Sequence, residues 1–169
     1  MVLGYNTLMK FLCDEMLGGL ARWLRAAGYD ADMAVPGEAD RGMVRRARAQ
    51  GRRLITRDRA LLQIKHARDI AILLHARNLD GWAEELGKRH GLDWLLAPLS
   101  RCLVCNVDLV EADAEALSRM PEDSRTLGGP FRMCPSCKRG YWPGSHVKRM
   151  QARLLGFAAL AGQNPVEPP

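Results

Sequence analysis

Four of the five cysteines in this chain fall in two CxxC pairs, Cys102-Leu103-Val104-Cys105 and Cys134-Pro135-Ser136-Cys137, with 28 residues between the pairs. No other feature restricts the fold as much. Each CxxC closes into a tight knuckle whose backbone amides face the sulfurs. Two knuckles complete a tetrahedral site of four thiolates, closed to water and therefore structural, and the ion it takes is Zn²⁺. A redox dithiol needs only one CxxC, and nothing else in the chain suggests the electron transfer of an iron site. Four thiolates around Zn²⁺ leave a net charge of −2, which the flanking Arg101, Arg132, Lys138 and Arg139 can offset. The long insert between the pairs has room for a helix over residues 112–120. The fifth cysteine, Cys13, follows Phe11-Leu12 and reads as a small buried hydrophobe.

The first hundred residues alternate strand and helix signals. Residues 10–13 form a short apolar run and read as a buried first strand. Leu17, Leu20, Ala21 and Leu24 recur at helical spacing, and Gly28 closes that helix. Residues 30–35 read as a second strand, and Pro36-Gly37 breaks the chain. Asp40 can cap a helix to about residue 50. A third strand is expected over 53–56, a short helix over 60–64, a fourth strand over 70–74, and a helix from Asp80 to about residue 88. The alternation predicts an α/β fold whose parallel sheet has helices on its faces. Residues 145–160 read as a final helix with Val147, Met150, Leu154 and Phe157 on one face. A tail with three prolines follows and is expected to fray.

Acidic residues recur where strands end. Asp14 directly follows the first strand, and Asp58 follows the third with one residue, Arg57, between. Glu38 and Asp40 lie in the loop after the second strand, and Asp80 lies after the fourth. In a parallel α/β sheet the carboxyl ends of the strands are where sites form. Carboxylates gathered on one edge repel one another, and a hard divalent cation with oxygen ligands resolves the repulsion. Such an ion can activate water against a phosphodiester. Taken singly, each acid is also well placed as a helix cap, and Asp40 and Asp80 most of all. The chain has no GxxxxGK[ST] loop, no GxGxxG, and no Ser/His/Asp or Cys/His arrangement.

The formal net charge is +6, and the excess is mostly arginine. Arg41, Arg45, Arg48 and Arg52 share one helix face by spacing, and Arg46, Arg53, Arg57 and Arg59 add to the cluster. Only Asp58 opposes them between residues 41 and 59. A solvated face would explain such a run, but so many like charges repel and favour an anionic partner. Arg22 and Arg25 form a second pair in the helix just after Asp14, within reach of a phosphate at the acidic edge. Trp23 and Trp82 stand near leucines at helical spacing and read as core.

Several of these stretches together resemble a known family. They are residues 10–25 (Lys-Phe-Leu-Cys-Asp-Glu-Met-Leu-Gly-Gly-Leu-Ala-Arg-Trp-Leu-Arg), Gly28-Tyr29-Asp30, Thr56-Arg57-Asp58, the Cys102 knuckle through Asn106, and residues 134–146 with Trp142 and Gly144-Ser145-His146. The chain is similar over about residues 9–150 to the Mut-seven C-terminal RNase domain, which joins a PIN-like nuclease domain to a C-terminal zinc ribbon. The resemblance implies a metal-dependent ribonuclease. Asp14 and Asp58 match its acidic positions best, Asp40 is preferred to Glu38 as the third, and Asp80 is a candidate fourth.

The expectation is therefore a PIN-like domain over 9–98, a zinc ribbon over 99–150, and a helix end with tail over 151–169. Asp14, Asp40 and Asp58 would hold Mg²⁺ or Mn²⁺, and Arg22, Arg25, Arg45, Arg48 and Arg57 would grip RNA phosphates. The alternative is a module that holds RNA without cutting it. No apolar run approaches the roughly 20 residues of a membrane span, and the first ten residues do not read as a secretory signal. A cytoplasmic location is expected. Residues 1–8 lie upstream of the family motif and read as an extension.

Overall fold

Phe11 and Cys13 point to one face of the first strand and Leu12 to the other, and all three are buried. A strand covered on both faces belongs in the middle of a parallel sheet, and that is its place in the computed structural model, which describes residues 9–163. Strands β1 (Lys10–Cys13), β2 (Asp30–Met33), β3 (Arg52–Thr56) and β4 (Ala71–Leu73) lie parallel in the order β2-β1-β3-β4. Parallel neighbours need crossovers. These are α1 (Gly18–Ala26) after a 3-10 turn at Glu15–Leu17, then α2 (Asp40–Ala49), then a 3-10 turn at Ala60–Gln63 with the single-turn α3 (Ala67–Ile70). Helix α4 (Leu79–His90) follows β4.

The two faces carry separate cores. Ile55 and Ile72 join Phe11 and Cys13 against Leu20, Leu24 and Leu86 from α1 and α4. Leu54 joins Leu12 on the other side, against Met43, Val44 and Ala47 of α2 and against Leu61 and Ala67. Helix α1 thus covers one face and α2 the other, so the chain leaves β1 and β3 in opposite directions. The carboxyl edge between those two strands is the topological switch point of an open α/β sheet.

Beyond residue 100 the chain builds a small antiparallel sheet of β5 (Val110–Glu111), β6 (Arg132–Met133) and β7 (Gly140–Tyr141). The insert holds two short helices, α5 (Ala114–Ser118) and α6 (Glu122–Arg125), in place of one. Helix α7 (Ser145–Leu160) then returns to the first core. Met150, Leu154, Phe157 and Ala158 are buried there, and the Phe157 ring meets Trp23 edge-on at 5.3 Å and Trp94 at 4.9 Å. Trp23 and Trp82 pack against the same core. A Cβ at Gly87 of α4 would lie 2.3 Å from the Ala161 Cβ, so only glycine permits this approach of the chain after α7.

The parallel sheet, its flanking helices and the cysteine cluster match the expected α/β class. Some boundaries differ. The second strand stops at Met33, and α3 was not foreseen, since one turn carries no periodicity. Neither expected aspartate cap is a cap. Ala39 occupies the cap of α2, and Asn78 caps α4 by accepting from the Gly81 amide at 2.9 Å. Asp40 and Asp80 sit in the first turns instead, where the helix dipole favours an acid. Gln163 is tied by its backbone to Ala158 and by its side chain to Trp94 and Leu92, so the expected fraying does not begin at Gly162. The rest of that tail, and the extension read at residues 1–8, lie outside the described residues. Among those described, no helix is long and apolar enough to cross a membrane.

Candidate active site and metal centre

The four paired cysteines converge. The Sγ atoms of Cys102, Cys105, Cys134 and Cys137 all lie within 4.8 Å of one another, and Cys102 and Cys137 are 3.8 Å apart. A tetrahedral ion with metal–sulfur bonds of about 2.3 Å requires sulfur–sulfur edges of about 3.8 Å. In each knuckle the amide of the second cysteine approaches the sulfur of the first at 3.4 Å, and the Tyr141 hydroxyl donates to Cys102 Sγ at 3.3 Å. Burial opposes ionisation of Cys102, but the Cys105 amide and the Tyr141 hydroxyl outweigh it and bring the thiol down to about 6. Cys105 is pushed up to about 12, first by its hydrogen bond with Cys137. Four sulfurs this close cannot all ionise without a cation, and the donor set fits a metal such as zinc. Cys13 stands apart in the core, where burial pushes its thiol up to about 12, so it is neither ligand nor nucleophile.

At the switch point the Thr56 hydroxyl ties the Asp14 carboxylate to the backbone of Asp58. Asp14 leaves β1, and Asp58 lies two residues past the end of β3. Buried Thr56 stands between them: its hydroxyl donates to Asp14 Oδ2 at 2.7 Å and accepts from the Asp58 amide at 3.0 Å. Asp14 Oδ1 also accepts from the Glu15 amide, and Asp58 Oδ1 from the Ala60 amide, so the backbone fixes both carboxylates. Asp40 is exposed on the first turn of α2, at the same edge of the sheet. The three acids are not drawn together as the cysteines are, which form the only such group of ligating side chains among the described residues. Mg²⁺ commonly uses one or two carboxylates and several waters, and Asp14 and Asp58 are donors of that type.

The other acids are committed elsewhere. Glu38 forks onto Arg46 at 2.7 and 3.1 Å, a hydrogen bond that holds its carboxyl below the usual range. Asp80 pairs with Arg153 of α7.

The arginines divide. Arg41, Arg45 and Arg48 line a groove of about 790 Å³ with Lys65. Arg57 lies 5.6 Å over the ring of Trp82, and Arg22 is exposed on α1. Arg46 and Arg52, read as part of the basic cluster, are neutralised by Asp32, Glu38 and Asp30. Arg25 was expected to grip phosphate and cannot. It is buried, with Nε on the Ala31 carbonyl at 2.7 Å and Nη1 on the Leu103 and Val104 carbonyls at 3.0 Å. Its guanidinium holds the first knuckle against β2.

A second contact reinforces that docking. Asn106 donates to Asp30 Oδ1 at 2.7 Å and accepts from the Ala31 amide, while Arg52 forks onto the same carboxylate at 2.7 and 3.2 Å. Burial raises the Asp30 carboxyl, but Arg52 and Asn106 outweigh it and hold it below the usual range. Its stabilisation is therefore complete above the unfolded carboxylate value of about 3.9 and is lost as pH falls through the lower folded value. Asp30→Asn is expected to cost about 1.5–3 kcal/mol at neutral pH, the range for hydrogen bonds to a charged group. Urea unfolding should show the gap from the parent closing in acid. A gap independent of pH would remove the charge from the explanation.

Thr56 went unassigned by sequence reasoning, although it opens the Thr56-Arg57-Asp58 stretch. A buried hydroxyl two residues from an acid was its only signal. No curated protein and no solved structure matches the chain. The family model described as the Mut7-C RNAse domain matches residues 9–154, which takes in β1, the switch point, both knuckles and most of α7. With that model spanning most of its length, the chain belongs to the Mut7-C RNAse domain family.

Proposed function

We propose that this protein is a metal-dependent endoribonuclease that hydrolyses RNA phosphodiester bonds at the switch-point edge, and that its four cysteines hold one structural Zn²⁺. The observation that supports the reading is the Asp14–Thr56–Asp58 link, in which one buried hydroxyl ties the Asp14 carboxylate to the Asp58 backbone at the edge where an open α/β sheet places its ligands. Asp14 and Asp58 would hold Mg²⁺ or Mn²⁺, with Asp40 as the third acid of the edge. A divalent ion there supplies charge against the phosphodiester and acidifies a water. Thr56 helps fix the orientation of Asp14. Arg57, next to Asp58 and stacked on Trp82, offers a guanidinium to the strand being cut. Arg41, Arg45, Arg48 and Lys65 provide a track for the flanking phosphates.

The separation of Asp40 from the linked pair favours a second reading, in which RNA is bound without being cut. The zinc-loaded chain, incubated with single-stranded RNA with and without added Mn²⁺, distinguishes them. Cleavage only with Mn²⁺ is expected. Binding without cleavage would leave the module that only holds RNA.

The groove makes a prediction of its own. Arg45→Glu with Arg48→Glu should weaken RNA binding and flatten its salt dependence, by about 0.7 in the logarithmic slope for each phosphate of a single strand that is no longer neutralised. Unchanged affinity and slope in a filter-binding series would reduce the groove to a solvated face.

A further inference from the structure

A second cleft, of about 510 Å³, lies where the cysteine ribbon meets α1 and the start of α7. That volume is within the usual range for small-molecule sites. Its lining mixes chemistries that seldom meet without a ligand. Arg22 comes from α1, Arg139 from the second knuckle, Trp142 from just after β7, His146 from the first turn of α7, and Asp123 and Ser124 from the insert. Arg22 and Arg139 are exposed and make no ion pair with any described residue. Arg46 and Arg52, by contrast, are paired with acids.

Trp142 is seated by glycines. A Cβ at Gly144 would fall 2.9 Å from the indole Nε1, and one at Gly140 would fall 3.4 Å from Cζ3. The indole therefore lies on bare backbone at both ends, held in place yet only partly buried. An aromatic ring already ordered in a cleft loses little entropy when a flat ligand stacks on it. Arg22 stands one turn from the start of α1, about 6 Å along the axis, and α1 begins at the edge that carries Asp14. One short helix thus ties a wall of the cleft to the strand end that carries Asp14.

We propose that this cleft captures one unstacked nucleotide of a single-stranded RNA, with its base on the Trp142 indole and its phosphate at Arg22 and Arg139. Single strands are held in this manner, by aromatic platforms for bases and cations for the backbone. Asp123 adds a carboxylate to the lining, suited to an N–H edge of the base and ill suited to a bare anion. Choice of RNA as the ligand rests on the ribonuclease reading; the cleft's geometry does not.

The test uses the zinc-loaded full chain and a single-stranded RNA of about 12 nucleotides, within the span of such sites, with no added Mn²⁺ or Mg²⁺. Bases are deleted one position at a time. One abasic position should lose roughly 5- to 100-fold in affinity, the loss that corresponds to one base–aromatic stack. Trp142→Ala should lose as much and no longer sense that position, while Trp142→Phe keeps most of the affinity. Zinc content and melting temperature are read on each variant. Should Trp142→Ala lose its metal, Trp142→Phe and the exposed Arg22→Gln decide, the latter by a flatter salt slope.

The inference is overturned if no abasic position matters, if the abasic and Trp142→Ala losses simply add, or if Arg22→Gln leaves the slope unchanged. Parallel cleavage assays with Mn²⁺ separate the two ideas. Cleavage with no sensitive position sinks the cleft alone, and a sensitive position without cleavage sinks the nuclease alone.

Discussion

Mn²⁺-dependent RNA cleavage is expected to fall by more than about 100-fold when Asp14 becomes Asn, because removing a partner that merely orients a ligand already costs roughly 10–100-fold. Asp58→Asn should do the same, and Thr56→Val should fall in that lower range, since it leaves Asp14 Oδ2 and the Asp58 amide without their shared hydroxyl. The fold should survive Asp14→Asn. Asp14 accepts from the Glu15 amide, a contact that asparagine reproduces, so no more than about 1 kcal/mol is lost there. Relief of repulsion between carboxylates at the edge could even raise the melting temperature without metal. A purely capping Asp14 gives the reverse: activity kept and stability lowered. Cleavage rate and melting temperature therefore have to come from one preparation. Parent-like cleavage by both asparagine variants would remove Asp14 and Asp58 from the reaction, and a parent that binds RNA without cleaving it would leave the RNA-holding module.

Loss of the ribbon metal is the other large effect. One zinc per chain is expected by elemental analysis. Cys134→Ser should lose it and unfold the ribbon, because metal binding in such modules is folding free energy, about 10–16 kcal/mol in isolated zinc-finger peptides. The damage should spread. The Leu103 and Val104 carbonyls lie within the first knuckle and accept from Arg25, and Asn106 just beyond it donates to Asp30. Without the knuckle, buried Arg25 would be left with the Ala31 carbonyl alone among these partners. Amide exchange should thus accelerate in β2 and α1 as well as in the ribbon. Folded protein with neither zinc nor iron would end the claim, and exchange confined to the ribbon would end its extension to the sheet.

How far the sequence could be read depended on how local each signal was. The strand at residues 10–13 was legible as a short apolar run, and the helix at 145–160 because its apolar side chains follow the period of 3.6. The cysteines were legible because a knuckle is a four-residue structure. The acids were placed on the correct edge by topology alone, since a parallel strand fixes where its following residue lies. Arg25 failed for the opposite reason. Its partners in the knuckle are 78 and 79 residues away, and nothing near it distinguishes an arginine that binds carbonyls from one that binds phosphate. Arg46 and Arg52 share that difficulty, as their acidic partners come from β2 and the loop after it. The caps were misplaced by one or two residues, the usual ambiguity where several polar residues precede a helix.

The return of α7 to the sheet has a consequence for synthesis. A nascent chain folds from its N-terminus as it emerges, at about 5–20 residues per second. Here the core around Trp23 and Trp94 cannot close when β4 and α4 appear, because Phe157 and Leu154 have yet to be made. They arrive roughly 60 residues after α4 ends, a delay of about 3–12 s at those rates. Both knuckles emerge within that interval, before the helix that seals the domain. The protein thus has a period on the ribosome in which its sulfurs are accessible and its largest core is still open, and metal supply during synthesis would influence the yield of native protein.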